Sequence, residues 1–322
     1  MDQRGIQALQ SGGKDREDAM LTIQPNDGPL GATITGVDLG ANPSDADFTR
    51  ILHALGRYGV LRFPDQHFER DALLRLSLRF GDIQGPHAAT PASARSTYET
   101  VGTLSNLKEN GKYIGLPDAG QDWHTDLSYN DVIGFVNVLH GLRIPRRDGQ
   151  PLGGTEFSNM HMAYEELPAD IRERLADATV THDYDKLWEH MRLNKGSSRP
   201  PLTEEQKRLR PPVTHPLFLT HPITGRKVLY ANPGYATRIN ELPPEESDRM
   251  LAFLFAHQLQ DRFRYTHRWT ENDVLIWDHI GTIHRAIADY RPDEIRLMRR
   301  CQVMASKVFD PAYTRAVREL AA

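Results

Sequence analysis

The sequence predicts a mostly β fold with flanking helices, in the α+β class. Strand-like patterns occupy both ends of the chain, at residues 31–39 and 261–305, and most of the helical patterns fall between them. No internal repeat divides the 322 residues. Because strands at both ends enclose helices and loops, we expect one domain over residues 21–322. We also expect a helical and loop insertion at about 160–260 that covers one mouth of the sheets.

The sequence of the first part of this domain predicts strands that alternate with helices. Residues 31–39 alternate at period two, which is typical of a half-buried strand. Residues 45–58 and 69–80 have helical spacing, and residues 60–63 predict a short strand between these helices. Further strand patterns lie at residues 98–104 and 133–142.

The middle of the chain predicts helices and one long loop. Residues 162–178 and 185–192 have helical spacing, as do residues 244–258. Residues 195–216 are rich in proline and charge, so we expect a long surface loop or lid with no regular sheet. The remaining strand patterns lie at residues 217–219, 227–231, 261–267, 273–277, 283–288 and 296–305.

Composition excludes several kinds of site and partner. The single cysteine, Cys301, rules out a disulfide framework and the thiolate cages of zinc and iron–sulfur sites. A bound metal would therefore need imidazole and carboxylate ligands. With 39 basic and 43 acidic side chains, the net charge of −4 argues against nucleic acid as a partner. A small molecule is the expected partner.

The composition of the N-terminal segment does not predict a targeting signal. Residues 1–20 carry charge and glycine but no apolar stretch, so we expect a disordered tail, with translation starting at Met1 or Met20. No run approaches the roughly 20 apolar residues of a membrane span. We therefore expect a cytoplasmic protein without a membrane partner, either a monomer or a symmetric homo-oligomer.

A His-x-Asp step forms the centre of the predicted metal site. Residues two apart in a strand project from the same face, so His124 and Asp126 place an imidazole beside a carboxylate. A histidine from a distant, facing strand would complete the two-histidine, one-carboxylate pattern of non-haem Fe(II) oxygenases, and His284 fits that position. Since the chain has fourteen histidines, a chance His-x-Asp pair is the alternative.

Two arginines near the C-terminus predict anion binding. Arg296 and Arg300 share one strand face with Met298, whereas Arg299 and Cys301 project to the other face. Guanidinium groups on an inward face are costly unless each meets an anion, so two carboxylate-like ligands are implied. The alternative is an outward face with solvated arginines.

Short motifs run along most of the chain in a fixed order. They are Gly59-Val-Leu-Arg-Phe-Pro-Asp-Gln66, Arg79-Phe-Gly81, Trp123-His-Thr-Asp126, Gly153-Gly-Thr-Glu-Phe157, Met162-Ala-Tyr164, Thr220-His-Pro222, Gly225-Arg226, Trp277-Asp278, His284 and Arg296 to Arg300. From about Ile34 to Met304 the chain thereby resembles the taurine dioxygenase and phenoxyacetate-herbicide dioxygenase family of Fe(II)/2-oxoglutarate enzymes. The resemblance implies that family's fold, a double-stranded β-helix (jelly roll) with flanking helices.

The resemblance also implies the cofactors and the residues that hold them. The Fe(II) ligands would be His124, Asp126 and His284. Thr155 and Arg296 would hold the distal carboxylate of 2-oxoglutarate, the co-substrate that is used together with O2. The family commonly has an aspartate before this threonine, which is absent here, so a shift of register would give the role to Glu156.

The implied substrate is a small anionic molecule. Arg300 would hold its anionic group, and the backbone N–H of Leu127 is a further donor. Family positions around the substrate fall on His87, Trp188 and Tyr235. Trp188 has the alternative of a helix-core aromatic, whereas Tyr235 lies in a turn sequence that favours a loop lining a site.

The chain departs from the family at positions near the expected site. The usual Trp-Asp-Asn-Arg is Trp277-Asp278-His279-Ile280 here. We do not expect His279 to be a ligand, because adjacent strand positions point to opposite faces. An asparagine and a tyrosine of taurine dioxygenase correspond to Gly120 and Thr90, which argues against taurine as the substrate.

The implied reaction is hydroxylation of a C–H bond coupled to conversion of 2-oxoglutarate to succinate and CO₂. If the hydroxylated carbon carries an oxygen, nitrogen or sulfur leaving group, the product collapses and the net reaction is cleavage. Arg300 favours an anion, and the aromatic residues favour an apolar body, so an aryl or alkyl carboxylate is expected. The alternatives are a sulfonate-cleaving enzyme, a zinc hydrolase or isomerase, and a non-enzymatic binding protein on the same fold.

Overall fold

Two β-sheets that pack face to face form the centre of the fold. The computed structural model describes residues 20–85, 100–118, 120–197 and 199–320. Residues 1–19 of the expected tail lie outside them. In pairing order, the larger sheet contains β1 (Thr22–Pro25), β2 (Ala32–Thr35), β3 (Val60–Phe63), β17 (Val274–Asp278), β7 (Gly134–Arg143), β19 (Leu297–Met304) and β4 (Gly102–Ser105). The smaller sheet contains β16 (Arg264–His267), β10 (Thr155–Asn159) and β18 (Thr282–Ala286).

Strand alternation gives the larger sheet two different faces. On β7, Val138 points into an apolar layer that it shares with helices α1 (Asp45–Tyr58) and α2 (Arg70–Phe80). The next and previous residues, Leu139 and Asn137, point to the opposite face, toward the smaller sheet. The candidate site lies between this second face and the smaller sheet.

The insertion predicted at about 160–260 contains helices and two small sheets. Its helices are α3 (Met160–Glu165), α4 (Ala169–Arg174), α5 (Tyr184–Asn194), α6 (Glu204–Arg208) and α7 (Pro244–Gln258). One sheet pairs β12 (Val213–Pro216), β11 (Thr179–His182) and β15 (Ala236–Ile239), and the other pairs β13 (Phe218–Thr220) with β14 (Lys227–Leu229).

The other elements are short. They are the hairpins β5 (Lys108–Glu109) with β6 (Lys112–Tyr113) and β8 (Arg146–Arg147) with β9 (Gln150–Pro151), a 3₁₀ turn at Asp261–Phe263, and α8 (Pro311–Glu319). Among the described helices, none is both long enough and apolar enough to cross a membrane.

Three predicted elements, α1, β3 and α7, have the bounds that the sequence indicates. Helix α1 begins where the Ser44 side chain accepts a hydrogen bond from the backbone N–H of Asp47, and it ends at Gly59, whose φ is 70°. A capping serine and a terminal glycine are strong local signals, so the bounds of α1 can be recognised from the sequence alone.

The insertion contradicts its sequence prediction in two places. Residues 162–178 do not form one helix, because Pro168 separates α3 from α4 and caps the second. Residues 195–216 are not all loop, since they contain α6 and β12. Strand β12 pairs only with β11 at the edge of its sheet, a position that tolerates the missing N–H of Pro216. The sequence analysis also missed β10, which has only five residues.

Candidate metal centre

The candidate metal centre lies where an extended segment meets β18. His124 and His284 form an isolated antiparallel bridge, with N–H to O distances of 3.0 and 2.7 Å. Asp126 lies in the turn that follows, not in a regular strand, and His284 is on an adjacent strand, not a facing one. The local geometry therefore differs from the strand pair that the spacing predicts, although the three side chains still converge.

The donor atoms of these three side chains lie close together in the interior. One ligand atom from each of His124, Asp126 and His284 lies within 4.8 Å of the other two. All three residues are buried. Two imidazoles and one carboxylate are donors that suit a divalent iron ion, so the donor set fits the metal that the sequence predicts.

The electrostatics of the cluster favour a charged carboxylate. Burial alone would raise the pKa of Asp126, but a hydrogen bond and the charge of His124, together with Arg300, hold this pKa well below its usual range. Burial lowers the pKa of His284 well below its usual range. The pKa of His124 is instead raised, because burial is outweighed by its hydrogen bond to Asp126 and by the charge of that carboxylate. Asp126 and His284 are thus held in the ionised carboxylate and neutral imidazole forms that bind a metal.

The backbone orients the His124 ring. Its Nδ1 lies 2.7 Å from the carbonyl oxygen of Asp122, so Nδ1–H donates there and Nε2 faces the cluster. Gly120 lies beside the same ring with a φ of 70°, and a Cβ at this position would lie 3.1 Å from Cε1 of His124. Glycine therefore lets the backbone pass close to the ring.

A narrow chamber adjoins the cluster between the two sheets. It is lined by Leu104, Gly120, His124, Asn137, Leu139, Thr155, Trp277, His284, Ala286, Arg296 and Arg300. Thr155 reaches it from β10, where its Oγ1 accepts a hydrogen bond of 3.0 Å from Nε1 of Trp269. Glu156 points away and pairs with Arg285 at 2.5 Å. Of the two candidates for the co-substrate position, Thr155 is thus the one whose side chain is in the chamber.

Arg296 brings an unneutralised charge to this chamber. Arg296 is 6% exposed, and its guanidinium forms a hydrogen bond with the side chain of Tyr290. Its Nε has no hydrogen-bond partner, and no carboxylate of the described residues forms an ion pair with it. Burial lowers its pKa, but an arginine keeps its proton in proteins. A buried cation of this kind suits an anionic ligand.

Arg299 and Arg300 lie on opposite faces of β19, as the alternation predicts. Nη1 of Arg300 lies 3.8 Å from Oδ2 of Asp126, and its side chain lines the narrow chamber and the larger cavity next to it. Arg299 forms an ion pair of 3.0 Å with Glu69. Of Arg299 and Arg300, it is therefore Arg300 that can contact a ligand beside the candidate metal centre.

The larger cavity, of about 470 Å³, opens beyond Arg300 and has aromatic walls. The Tyr129 ring lies 4.7 Å, centre to centre, from both Tyr184 and Tyr235. Trp188, on α5, also lines this cavity, and its Nε1–H donates to the carbonyl oxygen of Pro200. Such walls suit an apolar or aromatic body.

Of the remaining predicted site residues, Leu127 and Tyr235 lie at or near this cavity. Leu127 has a φ of 65°, and its buried side chain packs with Tyr129 and Tyr235. His279 is buried, and its Nε2 lies 3.9 Å from Oδ2 of Asp126, although it is not part of the metal-donor cluster. His87 lies outside the described residues.

Sequence reasoning missed several lining residues. Tyr129 and Tyr184 line the larger cavity, and Asn137 and Trp277 line the chamber. Asn137 had a signal, because it and His140 are the two polar residues within the buried, mostly apolar run of β7. Tyr129 follows Asp126 by three residues, whereas Tyr184 comes from a distant segment that only folding brings to the cavity.

Comparison with known families points to one family. A sequence model described as "Taurine catabolism dioxygenase TauD, TfdA family" matches residues 22–302. Pentalenolactone F synthase of Streptomyces avermitilis is 31% identical over 283 residues, which cover 84% of this chain and 90% of that protein. The alpha-ketoglutarate-dependent 2,4-dichlorophenoxyacetate dioxygenase of a Burkholderia species (strain RASC) is 29% identical over 252 residues, 75% of this chain and 80% of that one.

Solved structures agree with the sequence relatives. The crystal structure of AAD-2 in complex with Mn(II) and N-oxalylglycine is similar with a TM-score of 0.71 and 25% identity, over 89% of this chain and 98% of that chain. A taurine dioxygenase from Burkholderia xenovorans gives a TM-score of 0.68 and 25% identity, over 88% of this chain and 90% of that chain.

Proposed function

The chain belongs to the TauD/TfdA family of dioxygenases, and from that premise we propose that it hydroxylates an aryl or alkyl carboxylate. Members of this family are Fe(II)- and 2-oxoglutarate-dependent dioxygenases. The chain is thus an oxidoreductase that uses Fe(II), 2-oxoglutarate and O₂. The observation that carries the substrate proposal is the position of Arg300, between the His-Asp-His cluster and an aromatic cavity.

In this proposal the metal is held by His124, Asp126 and His284. The hydrogen bond from His124 to the Asp122 carbonyl fixes the ring, and burial keeps bulk water from the cluster. The iron, when bound with 2-oxoglutarate and O₂, supplies the oxidising power for C–H hydroxylation, and 2-oxoglutarate leaves as succinate and CO₂. The oxidoreductase family gives no support to the zinc hydrolase, isomerase or binding-protein alternatives.

The co-substrate is held by Thr155 and Arg296. Both line the chamber beside the metal cluster, and Arg296 has no carboxylate partner among the described residues. A guanidinium and a hydroxyl can together hold one carboxylate through charge-assisted hydrogen bonds. In this proposal Thr155 and Arg296 bind the distal carboxylate of 2-oxoglutarate.

The substrate occupies the larger cavity in this proposal. Arg300 binds its carboxylate, with the backbone N–H of Leu127 and the side chain of His87 as further contacts. Trp188 and Tyr235 contact its apolar or aromatic body. The names of relatives support this choice, because 2,4-dichlorophenoxyacetate and (S)-phenoxypropionate dioxygenases act on aryl-bearing carboxylates. Hydroxylation next to an ether oxygen would lead to cleavage.

We also propose that residues 21–322 form a single domain with a double-stranded β-helix, or jelly-roll, fold. Two observations support this proposal. The two central sheets are antiparallel except at one strand pair and pack through apolar side chains. The insertion contributes Tyr184, Trp188 and Tyr235 to the same cavity as the central strands.

The test is succinate release from 2-oxoglutarate across a panel of aryloxyalkanoates, alkyl carboxylates, sulfonates and amino-acid derivatives, with anaerobically loaded Fe(II). We expect substrate-dependent succinate release that is greatest with a carboxylate, and none from His124→Ala with any compound. Greater release with a sulfonate would assign the sulfonate alternative. Release that needs no metal would refute the metal-site assignment.

A further inference from the structure

Asn137 is an unexpected polar residue in the interior of the larger sheet. It is 0% exposed, and its neighbours along β7 are the apolar residues Val136 and Val138. A buried amide that is only partly hydrogen-bonded costs free energy compared with an apolar residue of the same shape. The presence of an amide here therefore calls for an interaction that an apolar residue cannot make.

That interaction is with the candidate metal ligand Asp126. Nδ2 of Asn137 lies 3.3 Å from Oδ2 of Asp126. An ionised carboxylate can only accept hydrogen bonds, so the amide must present its N–H and not its oxygen to this group. The other nitrogens near Oδ2 are more distant, with Nη1 of Arg300 and Nε2 of His284 at 3.8 Å and Nε2 of His279 at 3.9 Å.

The rest of the amide then faces the chamber. Its Oδ1 is buried and has no hydrogen-bond partner among the described residues. The directly opposed residue on β17, Trp277, also lines the chamber. Since β7 is a central strand, with β17 on one side and β19 on the other, its backbone holds the amide rigidly beneath Asp126.

We propose that Asn137 is a positioning residue that orients the metal-binding carboxylate of Asp126. The hydrogen bond fixes the rotation of the carboxylate, so its oxygens face the two imidazoles before the metal arrives. Partners of this kind commonly change metal affinity by about 10- to 100-fold. The inference depends on the proposed metal site, and it adds a residue that acts on this site through Asp126.

The test compares Asn137→Leu with the wild type, because leucine has nearly the shape of asparagine without its hydrogen bonds. We expect the Kd of the metal-free protein for Mn(II), measured by electron paramagnetic resonance titration, to rise by about tenfold or more. In the metal-free variant the lost hydrogen bond to Asp126 lowers the Tm, whereas loss of the unpaired buried Oδ1 raises it, so we expect a small net change in Tm. A merely structural role would instead leave the Kd for Mn(II) unchanged.

The matched control is Val138→Ala, on the next residue of β7 but on the helix-facing side. It should lower the Tm by creating a small cavity and leave the Kd for Mn(II) unchanged. If Asn137→Leu does not fold, Asn137→Ser tests the same loss of the hydrogen bond to Asp126, because the serine side chain is shorter. A rise of less than about threefold in a folded variant overturns the proposal.

The experiment also separates this inference from the proposed function. His124→Ala must lose Mn(II) binding if the cluster is the metal site. If His124→Ala binds as tightly as the wild type, the metal-site assignment itself fails. If His124→Ala loses binding but Asn137→Leu does not, only the role of Asn137 fails.

Discussion

At the scale of single residues, Arg299 and Arg300 show how one step along a strand changes the environment of a guanidinium. Arg299 lies at the surface with an ion pair to Glu69. Arg300 lies on the opposite face, between the chamber and the aromatic cavity. Replacing either Arg299 or Arg300 by alanine removes a guanidinium from the same strand, so the two variants form a matched pair.

We expect Arg300→Ala to raise the KM for the carboxylate substrate by about 10- to 100-fold, because a charge-assisted hydrogen bond contributes about 1.5–3 kcal/mol. Arg299→Ala should leave the KM unchanged, because a surface ion pair contributes little. The measurement is steady-state product formation at saturating 2-oxoglutarate. An equal KM in both variants would show that Arg300 does not bind the substrate.

Arg296 allows a separate prediction for the co-substrate. Arg296→Gln keeps hydrogen-bonding capacity but removes the buried charge that has no carboxylate partner among the described residues. We expect the Kd for 2-oxoglutarate, measured by calorimetry with Mn(II) present, to rise by about tenfold or more. The affinity for Mn(II) alone should be that of the wild type. Unchanged 2-oxoglutarate affinity would mean that another residue binds the distal carboxylate.

Much of the site could be read from the sequence where its residues are close together. His124 and Asp126 are two residues apart, and Arg296 and Arg300 are four apart, so spacing alone grouped them. Asn137 lies eleven residues beyond Asp126 and Tyr184 lies far from both motifs, and only the pairing of strands and the docking of α5 bring them to the site. Their roles depend on tertiary contacts that a local pattern does not contain.

At the scale of elements, helix α1 ends at a glycine for two physical reasons. Gly59 has a φ of 70°, and a Cβ there would lie 2.8 Å from Leu30 and 3.0 Å from Thr282. Gly111 has a similar φ of 77°, but nothing lies within 4 Å of the position of its Cβ. The two glycines therefore differ mainly in crowding.

We expect Gly111→Ala to lower the free energy of unfolding by about 1 kcal/mol, the usual cost of a left-handed conformation. Gly59→Ala should lower it by at least about 1 kcal/mol more, because its methyl group also overpacks the core. Urea unfolding of the metal-free protein measures both. Equal losses would show that the contacts of Gly59 relax without cost.

Elements with strong start and stop signals, including the short strand β3 between Gly59 and Pro64, were predicted well, and several other short strands were not. Helices α1 and α7 have the predicted bounds, because capping residues, glycine and proline act locally. Strand β10 and strand β12 have five and four residues. Strands of this length form because neighbouring strands supply their hydrogen bonds, so the sequence of each one alone contains too little information.

At the scale of the whole molecule, several buried histidines lie away from the candidate metal centre. Burial lowers the pKa of His182 to about 3, and its Nδ1 lies 2.9 Å from Oγ of Ser128. Burial also lowers the pKa of His161 to about 3 and that of His140 to about 4. These neutral imidazoles couple the stability of the fold to pH.

We therefore expect the metal-free protein to lose stability as the pH falls below about 6.5, the pKa of histidine in an unfolded chain. Below that value the unfolded chain gains a proton at His182 that the folded chain does not take up until about pH 3, so acid favours unfolding. At pH 5 this one histidine costs on the order of 2 kcal/mol. Urea unfolding at pH 7.5 and pH 5 measures the loss, and His182→Gln, which keeps a hydrogen-bonding group but does not titrate, should reduce it by about that amount. An equal loss in the wild type and the variant would mean that other groups account for the acid sensitivity.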